Sequence, residues 1–480
     1  MGALFLFLNN PSTLLMIGQT LGAPTVLRVV SAVGILAHLA LASGFLGTIL
    51  IAVVAEFLYL KSRNEFWLNT ARTFSVIATI LFGVGAAFGT LVEFGLVTIW
   101  SNFVSIIGEA IALPFYLELF AFLMEVILLP LYVFTWNKIK NQALHWVIGI
   151  GAASGGYYSA YNILAVMSAL SIKPPGLEII NLYQAAGQDV VGLTNYVVKW
   201  ANPADAWNMY WWGANVFIFH GILAAVIFSW SIVAAIYLYL YVRDRKPERL
   251  MMLKVLVPTI AVLTAIEGFV LGHLQGELVL EYDPRKLAVF EGMFWSGLRV
   301  DPLTSFFAYG TFNHAFWGYY SWPASVRPPD FVFVFYWVFM VIFGFLLGVW
   351  TGALSLWYLF PGFFGRFNWA RSLADFFERS GAYLIPFFAT FAAIGGSVSA
   401  ESGRYPFILV QAEPNPNGGP PIITGVPVGY GGLLNPTISM PTWLAALVII
   451  VEVAMPALAV YMVYLYTTRK PKIETKVVEY

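Results

Sequence analysis

Ten ionisable side chains fall within or at the ends of stretches that are otherwise apolar: His38, Glu56, Glu93, Glu118, Glu125, His220, Glu267, His273, Glu401 and Glu452. A charge placed in hydrocarbon is costly, so each is a candidate for chemistry. Small residues surround His38 in the run Gly34-Ile-Leu-Ala-His38-Leu-Ala-Leu-Ala-Ser43-Gly44, which leaves room for a flat ligand. His220 sits in Phe217-Ile-Phe-His220-Gly221. Either histidine reads as a packing residue bonded to a backbone carbonyl or as a metal ligand. Their occurrence in two separate apolar stretches points towards axial haem ligation, for which His with Met is a known pair. Met340, in Phe339-Met340-Val-Ile-Phe-Gly344, offers such a sulfur, though taken alone it reads as core filler. Glu118 and Glu125 are seven residues apart, almost two helical turns, so they share one face about 10 Å apart. That arrangement suits a proton relay or a site facing a large cofactor. It also suits two glutamates bonded to neighbouring helices. Lys286 and Glu291, in Asp283-Pro-Arg-Lys286-Leu-Ala-Val-Phe-Glu291, read from composition alone as solvated loop charges.

These residues need elements that cross a membrane. The chain has 480 residues, of which 60% are apolar and only 10% charged, against about 25% charged in ordinary soluble domains. Soluble enzymes, disordered tails and basic nucleic-acid binders are excluded, and the 25 basic and 25 acidic residues cancel. The absence of cysteine excludes disulfides, thiolate metal sites and iron–sulfur clusters. A helix needs about 20 apolar residues to span the hydrocarbon core. Nine stretches qualify: 29–60, 71–100, 111–136, 143–170, 212–242, 252–275, 331–360, 381–400 and 441–466. Residues 1–28 read as an outer or interfacial arm, with no removable signal peptide. Of the 25 basic residues, 17 fall on one side of these spans and 8 on the other. The positive-inside rule makes the first side cytoplasmic. The expected fold is an all-α polytopic bundle of about nine transmembrane helices, with the N-terminus outside and residues 467–480 as a cytoplasmic tail. Three long outer loops, about 171–211, 276–330 and 401–440, are rich in Pro, Gly, Trp and Asn. No internal repeat divides the chain, so 1–480 reads as one membrane domain.

The ordered landmarks resemble subunit I of the cytochrome bd quinol oxidases. They begin with Arg28, His38 and Glu56. Glu93-Phe94, Trp100-Ser101, Gly108, Pro114, Glu118 and Glu125 follow. Next come His220 on a span ending in Arg243-Asp-Arg, and the loop Lys286-Leu-Ala-Val-Phe-Glu291. Met340-Val-Ile-Phe-Gly and Ala400-Glu401-Ser-Gly-Arg404-Tyr-Pro-Phe complete the set. The resemblance runs from about residue 20 to 466. Val338 and Ser397 stand where the family pattern has Arg and Trp, which marks a divergent branch.

The resemblance implies a terminal oxidase subunit that oxidises quinol and reduces dioxygen to water. His220 and Met340 would ligate a low-spin haem b, and Lys286 and Glu291 would contact quinol. At a di-haem site, holding a high-spin haem b and either haem d or a third haem b, His38 would ligate one iron and Glu401 would ligate or face the other. Glu118 would sit at these haems and Glu125 on the proton route. Arg28 and Arg404 would pair with haem propionates or steady the quinol loop. The implied partners are a second membrane subunit of subunit II type, a small accessory subunit, quinol, dioxygen and membrane lipid, with no nucleic acid. The implied location is the plasma membrane of a prokaryote. Two other readings compete. One is a haem-free secondary transporter using Glu118, Glu125, Glu267 and His38 for proton coupling. The other is a haem protein that transfers electrons without reducing oxygen.

Overall fold

The structure, a computed structural model, describes residues 23–181, 196–428 and 440–469. Most of residues 1–28 and nearly all of the 467–480 tail lie outside these ranges.

Among the described residues, nine long helices account for the expected spans. They are α1 (Ala23–Ser62), α2 (Glu65–Thr98), α3 (Ser101–Phe134), α4 (Gln142–Ser171) and α5 (Trp212–Asp244). The others are α6 (Pro247–Tyr282), α7 (Val332–Leu359), α8 (Asn368–Gly403) and α9 (Thr442–Arg469). Eight are long and apolar enough to cross a membrane. The less apolar α4 is sheltered: its Gly149, Ala152, Ala153, Gly155, Gly156, Asn162 and Ser168 are all buried. Polar and small groups inside a bundle need not meet lipid.

The cytoplasmic turns are tight and capped. Arg63 takes a left-handed conformation between α1 and α2, and the Asn64 side chain accepts from Phe66 N at 2.9 Å. Asn141 caps α4 by accepting from Ala143 N and Leu144 N. Such caps satisfy amides that the first helical turn leaves unpaired.

Helices α1–α4 form one group and α5–α8 a second, joined where α5 packs on α1 and α4. Helix α9 lies against α1 and α2. Close approach of α3 and α4 depends on glycine. A Cβ on Gly149 would sit 2.6 Å from the Tyr132 ring. One on Gly156 would sit 2.6 Å from Phe45 and 2.8 Å from Glu125.

The described parts of the outer loops hold more regular structure than the sequence suggests. Helix α6 continues to Tyr282, so the connection starts later than residue 276 and holds short helices at Pro284–Phe290 and Pro302–Tyr309. Three antiparallel strand pairs are additions to the all-α expectation: β1 (Leu177–Asn181) with β2 (Tyr196–Trp200), β3 (Leu298–Val300) with β4 (Ala315–Trp317), and β5 (Phe407–Glu413) with β6 (Ile422–Pro427). Outside the hydrocarbon, water can satisfy strand edges, which is why sheet is confined there. Strand β5 ties the cap together. Its Ile408 and Leu409 join Leu177, Val198 and Met209 over the ends of α3 and α4. Its Val410 joins Phe290, Tyr319 and Trp322 on the other side.

Gly149→Val is expected to cost about 1–3 kcal/mol by overpacking against Tyr132. Gly83→Ala, where an added Cβ meets nothing within 4 Å, should change stability by less than about 0.5 kcal/mol. Thermal unfolding of the detergent-solubilised protein compares the two.

Candidate functional site

The α1–α4 group carries a column of ionisable residues. At its cytoplasmic end Glu56 is 2% exposed. It accepts from Tyr132 Oη at 2.7 Å and pairs with His145 Nδ1 at 2.7 Å. His145 Nε2 lies 2.9 Å from the Tyr132 carbonyl. The Trp136 ring packs on His145 with centroids 4.1 Å apart. A small cleft lined by Glu56, Tyr59, Arg72, Trp136, Gln142 and His145 opens beside this network. Glu125 is seven residues before Tyr132 on α3, about 10 Å along the axis. It is buried in the space left by Gly155 and Gly156. Another two turns on, Glu118 accepts from Ser159 Oγ at 3.1 Å.

His38 lies against α2. Its Nδ1 donates to the Gly85 carbonyl at 3.1 Å, and a Cβ on Gly89 would sit 3.0 Å from its Cε1. With Nδ1–H engaged, the lone pair of the neutral ring is on Nε2, the usual arrangement of a metal-ligating histidine.

In the α5–α8 group, His220 faces Glu267 across α5 and α6, with Nδ1 3.2 Å from Oε1. Met340 packs on α8, where a Cβ on Gly396 would sit 3.5 Å from its Sδ. Glu267 opens a π-helical turn, Glu267–Leu271, and Met340 lies in another, Phe335–Ile342. Such turns recur at functional sites because they re-aim side chains. Among the described residues no group of three or more His, Asp or Glu is arranged to chelate a bare ion. The donors on hand are single imidazoles and a thioether. Haem fits such a set, because its macrocycle supplies the other four ligands.

The outer cluster is built round Arg285, which is fully buried. Its Nε and Nη2 donate to Asp283 Oδ1 and Oδ2, each at 3.0 Å. It also donates to the carbonyls of Val326 and Arg404. Asp283 caps the short helix by accepting from Lys286 N at 3.2 Å. Lys286 is buried and its Nζ donates to the Ala400 carbonyl at 3.2 Å. Desolvation lowers its pKa to about 8, with Asp283 opposing that shift. Glu291 accepts from Tyr336 Oη at 3.1 Å. Burial raises its pKa to about 7 against that hydrogen bond. Lys286 and Glu291 are therefore not the solvated charges that composition suggests. Glu401 pairs with Arg404 in the same neighbourhood. A cleft beside Lys286 is lined by Ser171, Gly213, Phe217, Gln275 and Asp283. Ser171 Oγ and Gln275 Oε1 are buried there without hydrogen-bond partners.

Arg28 is half-buried near the outer start of α1. His273 lies 3.4 Å from Glu277 at an exposed position, which is a solvated pair. Glu452 is buried against Gly34 of α1. Sequence reasoning does not single out His145, Tyr132, Ser159 or Gln275. Hydroxyls and amides in spans are common, and His145 falls at the interfacial end of its span, where a polar residue needs no explanation. Its distance from the hydrocarbon centre hides its burial.

The cytochrome bd terminal oxidase subunit I family matches residues 26–472. A cytochrome bd menaquinol oxidase subunit I of Bacillus subtilis is 26% identical over 416 residues, covering 78% of this chain and 84% of the relative. A cytochrome bd ubiquinol oxidase subunit 1 of the same organism is 24% identical over 253 residues, covering 52% of this chain and 49% of that one. The solved bd oxidase of Geobacillus thermodenitrificans superposes with a TM-score of 0.74 at 21% identity, covering 94% of this chain and 99% of the other.

Asp283→Asn removes the only carboxylate bonded to Arg285 among the described residues. Leaving a buried guanidinium unpaired is expected to cost about 3–5 kcal/mol. Faster limited proteolysis of the outer loops and a lower unfolding temperature are the expected readouts.

Proposed function

The chain belongs to the cytochrome bd terminal oxidase subunit I family, matched over residues 26–472, and on that premise we propose that it oxidises quinol at its outer face and directs the electrons inward to reduce dioxygen. It is a multi-pass membrane subunit of a quinol:oxygen oxidoreductase, and the subunit I family implies a companion subunit II. We place it in the plasma membrane of a prokaryote.

The observation that carries this reading is the Lys286 cluster. A buried amine and the Glu291 carboxyl, with pKa values near 8 and 7, are matched to hydrogen-bonding a quinol hydroxyl and taking its proton near neutral pH. The cleft beside Lys286 reaches Phe217, three residues or about 4.5 Å along α5 from His220. Arg404 and Arg285 hold the cluster in place from the α8 side.

His220 and Met340 would hold a low-spin haem b, and His38, with its Nδ1 engaged by Gly85, would hold a high-spin haem. Glu401 would face a second high-spin haem, either haem d or haem b, and Arg28 would pair with haem propionates or steady the quinol loop. When bound, the haems supply the iron that carries electrons and reduces oxygen. The protein must bring protons from the cytoplasmic side. His145 and Glu56, beside their cleft, would load protons that Glu125 and then Glu118 pass inward along α3, with Ser159 holding Glu118. A small accessory subunit and surrounding lipid complete the proposed assembly. Family membership sets the haem-free transporter reading aside.

Purified complex is expected to show haem bands in the reduced-minus-oxidised spectrum and to consume oxygen on addition of quinol. Bands without oxygen uptake would favour a purely electron-transferring protein. His220→Ala and Met340→Ala should each abolish the low-spin bands and spare the high-spin ones.

A second expectation concerns pH. Glu291 accepts a proton only when ionised, above about pH 7, and Lys286 is cationic only below about pH 8. Quinol oxidation should therefore peak between these values. Glu291→Gln should lower kcat/KM and remove the acidic limb of the profile, and a limb that persists would exclude Glu291 as the proton acceptor.

A further inference from the structure

The contact between α5 and α6 leaves two buried polar atoms without hydrogen-bond partners, His220 Nδ1 and Glu267 Oε2. Glu267 Oε1 is 3.2 Å from that same Nδ1. The carboxylate stands at the first residue of the π-helical turn Glu267–Leu271. A π turn widens the helix by one residue and changes where the side chains around it point. Here it presents an acidic group to one nitrogen of one histidine inside the membrane-spanning region. A carboxylate within a membrane-spanning helix is expensive, and among the described residues no other basic side chain forms an ion pair with it.

The chemistry of such a contact is specific. When a carboxylate accepts the Nδ1–H of an imidazole, it fixes the tautomer, holds the ring plane and makes Nε2 a stronger electron donor. A stronger donor favours ferric over ferrous iron and lowers the reduction potential. The two groups stand at ion-pair distance but out of hydrogen-bond alignment.

We propose that Glu267 is a positioning residue for His220, accepting its Nδ1–H so that Nε2 is offered to the low-spin haem, and thereby lowering that haem's potential. The inference rests on the reading of His220 as a haem ligand.

Redox titration of the low-spin band in the purified complex tests it. Glu267→Gln should raise the midpoint potential, so that the ferric-to-ferrous ratio at a fixed ambient potential falls about tenfold, equivalent to about 59 mV for one electron. Glu267→Asp, which keeps the charge at shorter reach, should fall between Gln and wild type. An unchanged or lowered potential in Glu267→Gln overturns the proposal. Should that variant lose the low-spin band, Glu267→Asp decides: a potential above wild type supports the contact, and an equal one overturns it. His220→Ala separates the two layers of the argument. If the low-spin band survives in His220→Ala, the ligand reading fails and the proposal with it. If the band is lost there while the Glu267 variants keep the wild-type potential, only the role of Glu267 fails.

Discussion

The outer half of the molecule depends on one buried ion pair. Arg285 has no contact with solvent, and its guanidinium makes four hydrogen bonds: two to Asp283 and one each to the carbonyls of Val326 and Arg404. Those carbonyls belong to the connection after α6 and to the end of α8. One side chain thus fastens three segments, and Phe407 packs on its face. A buried pair is not a strong source of net stability, because desolvation offsets much of the attraction. Its value here is specificity. The four hydrogen bonds fix the loops relative to one another, and the same arrangement seats Lys286 on the Ala400 carbonyl with its amine desolvated.

The same logic governs the membrane interior, where the scarcity of charge makes each charge informative. Glu125 is accommodated because Gly155 and Gly156 let α4 approach α3. Glu56 is accommodated because Tyr132 and His145 both engage its oxygens. In each case small or polar residues on α4 offset the cost of a carboxyl on a neighbouring helix. That explains why α4, which among the described long helices is the one left out of the eight apolar enough to cross a membrane, is nevertheless well buried.

Departures from regular helix fall at two of the candidate site residues. Helices α6 and α7 each contain a π-helical stretch, and these carry Glu267 and Met340. Elsewhere α1 and α2 run regularly past His38, whose ring is fixed by a main-chain carbonyl, a partner available along any helix once an adjacent glycine-containing face comes close.

The amino-acid sequence by itself determined the membrane class, the helical spans, their orientation and which ionisable residues fall in or beside those spans. Hydropathy and charge bias are local, additive properties, so they survive without knowledge of neighbours. His38, His220, Glu118, Glu125 and Lys286 stand out for that reason. The sequence did not determine who meets whom. Glu56 and His145 are 89 residues apart, and Arg285 and the Arg404 carbonyl 119 apart. Nothing in their spacing links them. Nor did composition reveal that Lys286 is buried and Glu291 half-buried, or that the outer loops hold strands, since short polar stretches carry weak periodicity. Only the tertiary structure decided these, because partners are chosen by which helix faces can approach, and the approach is set by glycines and aromatics on elements distant in the chain.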